Sequence, residues 1–163
     1  NAEMTEELYN FWFNQEVKYL LHLSNKKYIP EILLIDTKKR IIEFKWYDKN
    51  LNVMIENNTI NKVKDWQKKI KAIKDDLEKD NIFKINMYPH TFYFDDEGNA
   101  FIMDLYGCTD KQTRYLDTKY LKPLIRTNRF DKFIINDQLD THELYNETIK
   151  TNYAEWPGDF LNA

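Results

Sequence analysis

The sequence predicts an α+β fold in one domain. Two segments, 6–23 and 60–79, repeat apolar residues at helical spacing, and two pairs of short β-branched or aromatic runs are each joined by a polar turn. The 163 residues, 42% of them apolar, suffice for one hydrophobic core and fall short of two ordinary ones.

Taken in order, residues 6–23 place Leu8, Phe11, Trp12, Val17, Leu20, Leu21 and Leu23 on roughly one helical face, and Ser24-Asn25 ends the segment. Tyr28-Ile29-Pro30 leads into a strand over 31–36. The chain turns at Asp36-Thr37-Lys38-Lys39 and returns as a strand over 40–47. A short helix is expected over 51–55 and a long one over 60–79, whose stripe is Val63, Trp66, Ile70, Ile73 and Leu77. The charges between those positions read as a solvated face.

Residues 82–87 carry apolar side chains at Ile82, Phe83, Ile85 and Met87. The clearest hairpin follows, with strands over 91–94 and 100–103 around Asp95-Asp96-Glu97-Gly98-Asn99, where Gly98 suits a positive φ. That acidic tip lacks the alternating ligand spacing of a calcium loop and reads as a solvated turn. Helices are expected over 114–125 and 140–153, punctuated by Pro123, the polar 126–129 stretch and Trp156-Pro157-Gly158.

Charge and composition exclude several classes. A formal net charge of -3 argues against binding to nucleic acid or an anionic membrane. The apolar run 32–35 is far short of the ~20 residues of a membrane span, so a soluble, cytoplasmic protein is expected. Cys108, the one cysteine, permits neither an intramolecular disulfide nor a cysteine zinc cluster, and reads as a small buried residue. Three glycines cannot build a phosphate-cradling glycine loop. His90, after Pro89, reads as a turn residue, and His22 and His142 lie too far apart in sequence to suggest a metal pair. Asn1-Ala2 reads as a tag remnant, giving one domain over 3–163 with upstream sequence possible.

Chemistry concentrates after the long helix, in Lys84-Ile85-Asn86-Met87-Tyr88-Pro89-His90-Thr91, the hairpin, and Asp104-Leu105-Tyr106-Gly107. This succession resembles the catalytic loop, hairpin and metal loop of the protein-kinase-like superfamily, H-x-D-x-x-x-x-N followed by D-F-G. Asn86 stands at the loop aspartate, Thr91 at the loop asparagine and Asp104 at the metal aspartate. Upstream, the 6–23 helix resembles the family's αC, with Glu16 nearest its lysine-pairing glutamate. The hairpin over 32–47 resembles the strands leading to the adenine-binding hinge, which places Trp46 and Tyr47 where a base would stack.

The resemblance implies a reduced kinase-like fold. Residues 3–47 would be a small hairpin-bearing lobe, and residues 48–163 a reduced helical lobe with a catalytic-loop-like hairpin. The departures from the family decide the expected function. Asparagine at 86 is no base at neutral pH, and Thr91 offers a metal only a short neutral hydroxyl. The match to D-F-G carries one extra residue before Gly107, and the glycine-rich strands with their lysine have no counterpart. A pseudokinase acting by binding a protein partner, with weak or no nucleotide binding, is therefore expected. Two alternatives stay open. One is an atypical ATP-dependent phosphotransferase in which Asp104 holds Mg-ATP and Asp95, Asp110 or the substrate supplies the base. The other is an unrelated α+β interaction protein.

Overall fold

The computed structural model describes residues 5–84 and 89–110, with three α-helices and small antiparallel sheets in that part. Among the sequence expectations, Asn86, His142, the helices over 114–125 and 140–153, and the tag remnant at 1–2 lie outside the described residues.

Helix α1 (Glu6–Leu23) has the bounds its periodicity predicts. Thr5 caps it by accepting a hydrogen bond from the Leu8 N–H at 3.2 Å, and Glu6 and Glu7 place negative charge in the first turn, where the helix dipole favours it. Leu8, Trp12, Phe13, Tyr19, Leu20 and Leu23 are buried. Strands β1 (Ile32–Asp36) and β2 (Ile41–Phe44) form the first hairpin, with a register shift between Ile32 and Leu34. In the turn, the Asp36 carboxylate accepts from the Lys38 and Lys39 N–H groups, both at 3.0 Å, the local bonding that favours Asp at such positions. Arg40 reaches back to Glu6 at 2.6 Å and fixes the hairpin against α1.

Strand β3 (Lys49–Asn50), which the sequence reading missed, runs into helix α2 (Leu51–Glu56). Asn50 caps α2 by accepting from the N–H groups of Asn52 and Val53. The single helix expected over 60–79 is broken: a 3-10 turn covers Ile60–Lys62 and helix α3 covers Trp66–Lys79. Val63 is extended and Asp65 takes φ 56°, which interrupts the helical ladder. The stripe survives the break, since Val63, Trp66, Ile70, Ile73 and Leu77 are all buried.

Strand β4 (Phe83–Lys84) pairs with β7 (Cys108–Thr109), and only part of the apolar run over 82–87 is a described strand. After a 3-10 turn over Pro89–Thr91, strands β5 (Phe92–Phe94) and β6 (Ala100–Ile102) form the expected second hairpin. β3 adds to β5, giving the order β3-β5-β6. Gly98 has φ +82° as its turn requires. One core joins α1, α2, α3 and this sheet through Leu20, Leu51, Ile70, Phe92 and Ile102, each 0% exposed. Among the described residues no helix is long and apolar enough to cross a membrane.

Candidate functional site

The site grows from the two ends of the second hairpin's open side. The Thr91 carbonyl accepts from the Met103 N–H at 2.9 Å, so the loop entering β5 lies beside the loop leaving β6. The next residue is Asp104. Its Oδ1 accepts from the Tyr106 N–H at 2.7 Å, a bond two residues ahead that closes the backbone into a tight turn. Gly107, at φ 81°, completes the reversal, and the chain enters β7.

Helix α1 approaches this turn from the other side. Glu16 Oε2 accepts from the Leu105 N–H at 3.1 Å, across 89 positions of sequence. Leu105 is fully buried, so a carboxylate there satisfies a backbone donor that water cannot reach. Further along α1, the Tyr19 hydroxyl donates to Asp110 Oδ2 at 3.1 Å and Lys18 lies 3.6 Å from the same carboxylate. The helix thus grips both ends of the 104–110 segment. Burial raises the Tyr106 phenol above its ordinary pKa, and Tyr9, Asp104 and Glu16 add to the rise. Tyr106 stays a neutral phenol at physiological pH.

Of the residues the sequence singles out, Glu16 and the Thr91 backbone each bond a residue next to Asp104 in the chain. Thr91 is buried at 1% exposure. Tyr47 stacks on Phe101 of β6, with ring centroids 4.5 Å apart at 25°, beside the strand leading to Asp104. Trp46 is 78% exposed, at the outer end of the same segment. Cys108 is buried, as expected.

Asp95, one alternative proton acceptor, sits at the far end of the hairpin. Four residue steps along the strand, at about 3.3 Å each, separate the Asp95–Asn99 end from the Thr91–Met103 end, which puts it out of reach of Asp104. Burial raises its pKa, but hydrogen bonds from Asn99, Glu97 and Gly98 outweigh that and leave it below the usual carboxylate value. Asp110 is held by Tyr19 and Lys18.

Asp104 offers Mg²⁺ one carboxylate whose Oδ1 is already bonded to the backbone. Among the described residues no three His, Cys, Asp or Glu side chains cluster to hold a metal ion. The described donor set therefore does not by itself fit a tightly held divalent ion.

Sequence reasoning missed the Leu105 N–H, the Tyr19–Asp110 bond and the Tyr106 environment. A backbone donor has no residue signature. The Asp-x-Tyr-Gly stretch at 104–107 did carry a turn signal, which could have placed the bend. No protein-family model matches the chain, and no curated protein is significantly similar to it.

Proposed function

We propose that this chain is a reduced kinase-like domain without phosphotransfer activity, which acts by binding a protein partner. The observation that supports the reading is the Glu16–Leu105 bond: the one carboxylate expected from an αC-like helix meets the backbone directly after the residue expected from a metal loop. Glu16 and Asp104, to which the resemblance gives different roles, thus lie at the same turn. The loss of phosphotransfer follows from chemistry. Asn86 cannot accept a proton from an attacking hydroxyl, and a loosely held metal would leave the phosphate charge of a nucleotide uncompensated.

The test combines titration and transfer. Calorimetry with ATP and ADP, with and without Mg²⁺ or Mn²⁺, should give weak or no binding. Incubation with labelled ATP and a general acceptor protein should give no labelled product above that of Asp104→Asn. Transfer abolished by Asp104→Asn would overturn the proposal in favour of an atypical phosphotransferase. An experimental structure in which Asn86 and Asp104 face different surfaces would overturn the kinase-like reading itself, because that chemistry needs both loops at one cleft.

A further inference from the structure

A cleft of about 410 Å³ lies away from Asp104, between the segment leading into α3 and the tip of the β5–β6 hairpin. Its volume falls in the range of small-ligand sites. The two walls carry opposite charge. Lys62, Lys64 and Lys69 line the side of the 3-10 turn and α3, while Asp48, Asp95, Asp96 and Glu97, with one cation, Lys49, line the side of β3 and the hairpin tip.

Part of this charge is not cancelled within the protein, although Lys49 interacts with Asp96, Asp48 and Asp95 on the acidic side. Asp96 pairs with Lys49 at 2.8 Å, on its own wall, and Lys69 donates to the Gly98 carbonyl at 2.7 Å, which spans the cleft and ties the walls together. Among the described residues Lys62, Lys64 and Asp48 make no ion pair, and Glu97 makes none either, meeting only Asn99 at 3.5 Å. Cations and carboxylates that share a cleft yet stay apart leave room for a molecule carrying both charges. Between them the lining is apolar: Val53 is 47% exposed, with Met54 and Val63 beside it.

We infer that this cleft binds a short zwitterionic peptide. Its terminal carboxylate would face Lys62 and Lys64, its ammonium Asp48 and Glu97, and an apolar side chain would cover Val53. A purely anionic or purely cationic ligand would meet like charge on one wall, and an uncharged apolar one would leave both walls unmatched. The ligand needs no nucleotide and no metal, so the inference stands apart from the proposed function.

The probe is the dipeptide alanyl-leucine, titrated into the isotopically labelled full chain and followed by backbone amide shifts. The expected result is saturable binding at millimolar concentration, with shifts confined to the neighbourhood of Val53, Val63 and Gly98. Acetylating the amino end, amidating the carboxyl end, or the double change Lys62→Gln and Lys64→Gln should each weaken it about two- to fivefold. Raising salt to 0.5 M should weaken it too, because these charges are solvent-accessible. The lysines are exposed, so the variant is expected to keep the native amide spectrum, and Asp48→Asn tests the opposite wall independently. Absence of saturable shifts at tens of millimolar, or equal binding of the blocked and free dipeptides, overturns the inference.

Discussion

Replacing Glu16 by alanine removes the acceptor for the Leu105 N–H and leaves that donor inside a fully buried residue. An unsatisfied buried donor costs about 1–3 kcal/mol. Glu16 is only half-buried, so water can enter part of the space it vacates, and the lower half of the range, about 1–2 kcal/mol, applies. Expressed as hydrogen exchange, this is about a five- to thirtyfold loss of protection at the Leu105 amide. Glu16→Gln keeps an acceptor oxygen but loses the charge, and should cost about half as much. The assay is amide exchange by NMR, with the Ile70 amide in α3 as a monitor of global opening. Protection at Leu105 should fall more than at Ile70. If Glu16→Ala leaves Leu105 protected, the carboxylate does not hold the 104–107 turn and the coupling of α1 to it is refuted.

Three further outcomes follow from local geometry. Tyr28 donates to Asp76 at 2.6 Å, and that bond, followed by the one from Lys26, holds the Asp76 carboxyl below its ordinary pKa. A depressed carboxyl contributes stability above its unfolded pKa of about 4 and loses it as pH falls through the folded value, so Tyr28→Phe should cost about 1 kcal/mol in urea unfolding at pH 7 and less near pH 2.5. The figure is reduced because the Asp76 side chain is 35% exposed. Gly98→Ala at φ +82° should cost about 1 kcal/mol in the same assay, mostly as backbone strain, since the new methyl would meet only the side-chain end of Lys69, at 3.4 Å. Asn50→Ala loses the α2 cap and the bond to the His90 carbonyl at 3.1 Å, and should lower stability by about 1–2 kcal/mol.

Period and turn chemistry made most of the described fold legible. The bounds of α1 and the places of the two hairpins follow from apolar spacing and from Asp36 and Gly98 at their turns, although the strand expected over 40–47 ends at Phe44. The break at Val63–Asp65 was not legible, because burying Val63 and Trp66 satisfies the same spacing whether the ladder is continuous or interrupted. β3 and β4 are two residues each and have no alternation to read. For the site, chemistry-bearing side chains could be nominated only through the kinase-like resemblance. Their partners could not, since Glu16 binds a backbone amide and Tyr47 stacks on a ring 54 positions away.

The hydrogen bond that Asp104 already accepts decides how its role can be tested. Oδ1 shapes the turn by accepting from Tyr106, and the same carboxylate would be the one to meet a metal or a phosphate-bound ion. Asp104→Ala removes the turn hydrogen bond and the charge together, so any lost nucleotide binding could come from a collapsed turn. Asparagine separates them: its side-chain oxygen can still accept from the Tyr106 N–H, while the negative charge is gone. Protection of the Tyr106 amide should therefore survive in Asp104→Asn and fall in Asp104→Ala. Metal-dependent binding lost in both variants would belong to the charge, whereas binding lost only in Asp104→Ala would belong to the shape of the turn and to whatever docks against it.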